Sequence, residues 1–270
     1  MDINGNMQKS KIVKGYIAYH KEVPYGVWNS DIWTPIQANT EKNGKITTYG
    51  GVYDNEGEDN ISAWNLLFAE TTCLYWIWKN HPKDCKYVAF TQYRRRFDIH
   101  SEEELDKIFS QYRVIAARPL PLSVKTQYCK CHNAGDLEWI KEIIHRLYPE
   151  YDESWNYFIE NGKVLFYSNG FIMEEEDYAK YCEWLFSILF EYKRLKQFET
   201  VEDVKKFVQE QIDNGLRPNA DSNGKRDNAL NYQSQICGFL SERLYTLYLL
   251  HNYKWEDIAI LPYYKLENCL

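Results

Sequence analysis

The stretch YVAFTQYRRRFDIH, residues 87–100, begins as a buried strand and ends in a run of three arginines. Its first residues form a short apolar run, so YVAFTQY (87–93) reads as a buried strand. Before it lies NISAWNLLFAETTCLYWIWKN, residues 60–80, whose spacing predicts one helix, opened by the capping candidates Asp59 and Asn60 and closed before His81 and Pro82. Helix, strand and polar elbow in that order place Gln92, Tyr93, Arg94, Arg95 and Arg96 at the carboxyl edge of a sheet, where open α/β sheets bind ligands.

The alternation of strand and helix continues in both directions. KGYIAYH (14–20) reads as the first strand, YRVIAARP (112–119) and KVLFYSNGFIM (163–173) as later ones, and DIAILPYY (257–264) as the last. Tyr178, Tyr181, Cys182, Leu185, Ile188, Leu189 and Tyr192 recur at helical spacing, and a final helix is expected over about 233–250. Residues 215–231, GLRPNADSNGKRDNALN, are polar and rich in turn formers, the composition of a loop or lid. No repeat or linker divides the chain, which predicts a single α/β unit with helices packed on a sheet.

Composition narrows the function. A net charge of −7 over 270 residues excludes a general nucleic-acid coat, since phosphate backbones demand a broad basic surface. The arginines must therefore act locally. Seven cysteines, an odd number, with no apolar N-terminal segment, are expected to be reduced thiols of a cytoplasmic protein, and no run of eighteen apolar residues predicts a membrane span. Cys129, Cys131 and His132 lie together, but no second pair completes four zinc ligands. Aromatic residues make up 16% of the chain, and their apolar faces and polar edges suit sugar rings. Arginine suits a diphosphate, because its guanidinium is always charged and donates in a fork. The competing reading pairs one or two of the arginines with the acids of DNEGEDN (54–60) or SEEELD (101–106).

In order along the chain, DNIS (59–62), CLYWIWKN (73–80), QYRRRF (92–97) and GFLSERL (238–244) resemble the capsular polysaccharide synthesis glycosyltransferase family long catalogued as a domain of unknown function. The resemblance runs from PIQAN (35–39) to Leu244, with Gln92 and Arg96 departing from the usual HYRRYF of that family. It implies a GT-A-like, Rossmann-type mixed sheet flanked by helices, with a nucleotide-sugar-binding part over about 1–125 and a helix-rich acceptor-binding part over about 126–270. It also implies inverting transfer of galactofuranose from a UDP-sugar to a glycan or lipid-linked glycan in bacterial capsule, exopolysaccharide or O-antigen synthesis, in the cytoplasm or at the inner face of the membrane. GT-A enzymes usually carry an Asp-x-Asp metal site after the strand that here ends in arginines. No divalent metal is therefore expected as a cofactor. A non-catalytic glycan-binding protein and another nucleotide or phosphosugar enzyme are the alternatives.

Inverting transfer needs a base for the acceptor hydroxyl. Gln235, Gly238 and Glu242 share one face of the final helix, so Glu242 is the first candidate, and the missing side chain at Gly238 suggests room for a ligand. Asp136, four residues from His132, is the second. His132, Asn169, Gln235 and Gly238 are the acceptor-binding candidates. Arg95 is expected to act on the leaving group, and Tyr19, His20, Lys21, Asp59, Asn60, Ser62, Tyr93, Arg94 and Arg95 to hold the donor. Glu70, set among apolar helix turns, would be costly to bury unpaired and calls for an arginine from 94–96.

Overall fold

The apolar run at 87–91 sits at the centre of the sheet. The computed structural model describes residues 12–21, 32–46, 51–92, 95–216 and 229–265. Its strands are β1 (Val13–Tyr19), β2 (Trp33–Gln37), β3 (Val52–Tyr53), β4 (Tyr87–Thr91), β5 (Arg95–Phe97), β6 (Val114–Ala117), β7 (Phe171–Glu174), β8 (Ile258–Leu261) and β9 (Tyr263–Lys265). Seven of them form one sheet in the order β3-β2-β1-β4-β7-β6-β8, and β5 pairs with β9 beside it. The β1–β2, β2–β3, β1–β4 and β6–β8 pairs are parallel, whereas β7 runs antiparallel to both β4 and β6.

Helix α1 (Thr40–Asn43) follows β2, and α2 (Asn65–Phe68) and α3 (Thr71–Asn80) connect β3 to β4. α4 (Glu102–Phe109) leads into β6, and α5 (Val124–Cys131), α6 (Gly135–Leu147) and α7 (Asp152–Ser154) fill the passage to β7. After β7 come α8 (Glu175–Leu195), α9 (Val201–Asp213), α10 (Ala229–Gln233) and α11 (Ile236–Asn252). Side chains alternate across the strands, so Ile17, Tyr87, Ala89, Ile115 and Ile172 pack with Leu105 of α4 on one face. Tyr16, Ala18, Val88, Phe90 and Phe171 meet α3, α8 and α11 on the other. Burial on both faces explains why β1 and β4 read as near-continuous apolar runs.

Three expected elements are interrupted. The helix predicted over 60–80 is a 3₁₀ turn at Ser62–Trp64, then α2, then α3, because Ala69 takes φ 48° and ψ −135° between them. Asn65 Nδ2 donates to the Ala69 carbonyl, and Thr71 Oγ1 donates to that of Phe68, so side chains take up acceptors that a continuous helix would satisfy. The strand predicted over 163–173 is divided into an isolated antiparallel bridge of Leu165 with Leu120 and β7 from Phe171, since Ser168 and Asn169 between them both have left-handed backbones, φ 77° and 45°. The last strand divides at Pro262, which has no N–H to donate to a ladder. The loop expected over 215–231 falls largely outside the described residues, and α10 already begins at Ala229.

From β1 the chain proceeds outward through β2 to β3, then returns to the other flank of β1 as β4. The carboxyl ends of β1 and β4 are therefore the switch point at which doubly wound sheets form their ligand crevice.

Candidate active site

The crevice is shaped by one buried carboxylate. Asp54, at the end of β3, accepts from the backbone N–H groups of Asn39 and Thr40 and from the hydroxyls of Ser62 and Thr72, at 2.6–3.0 Å. These bonds fix the left-handed turn at Asn39 after β2 and tie it to the start of α3. The strained corner at Ala69 then lies against α11, where Gly238 admits it: a Cβ on Gly238 would stand 2.7 Å from the Ala69 Cβ. The expected room for a ligand beside Gly238 is thus partly filled by this corner.

Two cavities meet at Ala69 and Glu70. The first, about 310 Å³, opens at the carboxyl ends of β1, β2 and β4, between Tyr19, His20, Asn39, Asn43 and Asn65. The second, about 290 Å³, lies over α11 between Gln127, His132, Tyr167, Tyr232, Glu242 and Arg243. Both are of the size that small-molecule sites occupy. Ala69, Glu70, Gln92 and Gln235 line both, so the two are lobes of one cleft. Its second lobe carries an aromatic wall, with His132 stacked on Phe239 at 3.9 Å and Tyr232 tilted against Phe239 at 5.0 Å.

Charge in the cleft is concentrated at the junction. Gln92 donates through Nε2 to Glu70 Oε1, and its own Oε1 accepts from Arg95 at 3.4 Å. Burial, followed by the nearby Glu242 carboxylate, pushes the Glu70 carboxyl up to about 7, against the pull of Gln92 and Arg95. Glu242 is also raised by burial, opposed by Arg243, whose Nη1 lies 2.8 Å from Oε2, while the Ser168 N–H reaches Oε1 at 3.2 Å. Arg243 is anchored in turn by the Phe239 carbonyl and by Gln127. Burial and then Arg243 bring His132 down to about 3, which leaves it neutral near pH 7 and able to share a hydrogen bond with Gln233.

The structure brings together Tyr19 and His20 in the first lobe, His132, Gly238 and Glu242 in the second, and Gln235 at the boundary. Lys21 is exposed beyond His20. Arg95 is half-buried behind Gln92, with its guanidinium 5.7 and 5.8 Å from the rings of Tyr167 and Tyr263. Tyr93 and Arg94 lie outside the described residues.

Other candidates stand elsewhere. Asp59 is exposed and accepts from the Tyr75 hydroxyl, Asn60 caps the turn to Ser62, and Ser62 is spent on Asp54, so none of the three lines either lobe. Asp136 is buried behind the cleft wall, its oxygens taken by the hydroxyls of Tyr192 and Tyr128 at 2.7 and 3.3 Å. Asn169 is fully buried and donates to Ser241, pinning the 168–169 turn to α11. Of the arginines expected to meet Glu70, Arg95 reaches it through Gln92, whose Nε2 donates to Glu70, and Arg94 lies outside the described residues. Sequence reasoning passed over Asn39, Tyr167, Tyr232 and Arg243. Only Asn39 and Arg243 lay in motifs already singled out, PIQAN and GFLSERL.

Residues 14–212 match the family described as a domain of unknown function, DUF4422. None of the curated proteins matches. Among solved structures the chain is similar to one described as the apo form of WbbM, a bifunctional glycosyltransferase, with 22% identity and a TM-score of 0.65. The match covers 95% of this chain and 45% of that one, so this chain spans less than half the length of the protein it resembles. The likeness is one of fold: the mixed α/β sheet flanked by helices is common to both.

Proposed function

The chain belongs to the DUF4422 family, and from that membership and the shape of the cleft we propose that it transfers a sugar from a nucleotide diphosphate to a glycan acceptor. The observation that carries this reading is the two-lobed cleft at the sheet's switch point, with the Glu70 carboxylate where the lobes meet and Glu242 near it. The first lobe takes the nucleoside, since it lies at the carboxyl ends of β1, β2 and β4 and offers Tyr19, His20 and a set of neutral amides. The second takes the acceptor, since its aromatic wall and amide edges suit a sugar ring. Arg95 supplies positive charge behind Gln92, beside the place where a leaving diphosphate would gain charge. The finer reading is an inverting transferase using UDP-galactofuranose, acting without a divalent metal in the assembly of a bacterial capsule, exopolysaccharide or O-antigen.

A thermal-shift measurement tests the class. UDP should raise the melting temperature with and without a divalent ion. Stabilisation by free oligosaccharide and none by UDP would instead make the protein a glycan-binding module. Incubation with a panel of UDP-sugars and synthetic acceptors, with the product linkage read by NMR, then tests the donor and the stereochemistry.

A further inference from the structure

In an inverting transfer the acceptor oxygen and the departing diphosphate stand on opposite sides of the anomeric carbon. The sugar in transit must therefore lie where the nucleotide lobe and the acceptor lobe meet. Four residues line both lobes: Ala69, Glu70, Gln92 and Gln235. Alanine has no polar group and the two amides do not take up a proton at neutral pH, which leaves the Glu70 carboxylate. Glu242 lines the second lobe only, with Oε1 held by the Ser168 N–H and Oε2 by Arg243.

We propose that Glu70 is the catalytic base and that Glu242 is the fixed anion beside it, an assignment that rests on the glycosyl-transfer reading above. As the acceptor oxygen bonds to the anomeric carbon, the bond from that carbon to the β-phosphate oxygen breaks and its electron pair leaves with UDP. The hydroxyl proton passes to Glu70. The backbone supports the placement, because the Ala69 conformation immediately before Glu70 is one that L-residues avoid and that persists only where the surroundings impose it. Among the described residues, the charged and titratable groups around Glu70 are Glu242 and Arg243 on α11, Arg95 beyond Gln92, Cys73 on α3, Tyr19 and His20 on the wall of the first lobe, and Cys131, His132, Tyr167 and Tyr232 on that of the second. A carboxyl brought near 7 by burial and by Glu242 is matched to base catalysis close to neutrality.

The test compares the wild type with Glu70→Gln, Glu70→Asp and Glu242→Gln. UDP affinity is measured by calorimetry, and kcat is followed across neutral pH with a turned-over UDP-sugar and a synthetic glycoside acceptor. Because a base must be ionised, wild-type kcat should rise with pH through the Glu70 titration. Glu70→Gln, which preserves size, should bind UDP as the wild type does, lose roughly 10²- to 10⁴-fold in kcat, and show no such rise. Glu70→Asp should recover part of the loss. Glu242→Gln should keep the rise but at lower pH, since the like charge that lifts Glu70 is gone. Near-normal kcat in Glu70→Gln, or a rise that survives there and vanishes in Glu242→Gln, overturns the assignment and returns the role of base to Glu242. A wild-type protein that does not bind UDP overturns the transferase reading itself, whereas UDP binding with an active Glu70→Gln removes only the base.

Discussion

Ala69 holds φ 48° and ψ −135°, a conformation that costs a non-glycine residue on the order of 1–3 kcal/mol, and Gly238 across from it has no side chain. The two features belong together. A methyl on Gly238 would stand 2.7 Å from the Ala69 Cβ, closer than carbon atoms pack, and in ordinary contact with the Phe68 carbonyl oxygen at 3.4 Å. Gly238→Ala should therefore lower stability by roughly 1–3 kcal/mol in denaturant titrations and slow transfer by shifting Glu70. Adding Ala69→Gly removes the opposing methyl and relieves the backbone, so the double variant should recover much of both losses. Additive effects of the two substitutions would show that they do not meet as described. Arg95 gives a second expectation at this scale. Lysine keeps the charge but not the fork that reaches Gln92, so Arg95→Lys should lower turnover with the fold intact and Arg95→Ala should lower it further. Wild-type turnover in the alanine variant would make Arg95 a structural residue.

Among the elements, β1, β4, β6, α8 and α11 were legible because each carries a long apolar run with one period. α9 was passed over although Thr200 and Asp203 form a reciprocal capping box at its start. The interruptions were not legible, since apolar periodicity runs unbroken through Ala69, and only the hydroxyls and amide that bond its neighbours mark the corner. The same distinction divides the site. Gln235, Gly238 and Glu242 could be grouped because a single helix sets their spacing, whereas Glu70 meets Gln92 across 22 residues and feels Glu242 from another element. Asp136 drew notice as a second base candidate because it lies four residues from His132, a spacing that does not reveal that α8 brings Tyr192 onto it. Burial pushes its carboxyl up from 3.8 to about 6. The folded state thus binds this proton more tightly than the unfolded chain does, so the stabilisation it gives is complete below about pH 4 and fades as the pH rises to about 6. Asp136→Asn cannot titrate, and its melting temperature relative to wild type should climb across that window. A constant difference would mean that Asp136 is not shifted. UDP affinity should change little, as Asp136 lines neither lobe.

For the molecule as a whole, net charge and local charge have opposite signs: the chain carries −7, yet three consecutive arginines follow the central strand. Under the proposed function, a diphosphate approaching an acidic protein must find its positive charge in a small region, and on this sheet the carboxyl edge of β4 is the expected place. In GT-A-like enzymes that edge usually presents an Asp-x-Asp pair to a divalent ion, which neutralises the diphosphate as it leaves. Here Thr91 is followed by Gln92, Tyr93 and the arginines, and cationic side chains stand in the sequence where the metal's ligands would be. Guanidinium groups donate in a fixed fork and stay charged at any working pH, so they can perform that neutralisation without an ion. Nucleotide release and sugar transfer should therefore persist in excess EDTA, with UDP affinity by calorimetry the same in the presence and absence of chelator. Affinity should instead fall as salt is added, to the extent that fixed charges screened by the solvent hold the diphosphate. Complete loss of transfer on chelation, restored by manganese or magnesium, would refute the expectation. It would direct the search for metal ligands to the acids of DNEGEDN, residues 54–60, where Asp54 already gathers the turn after β2.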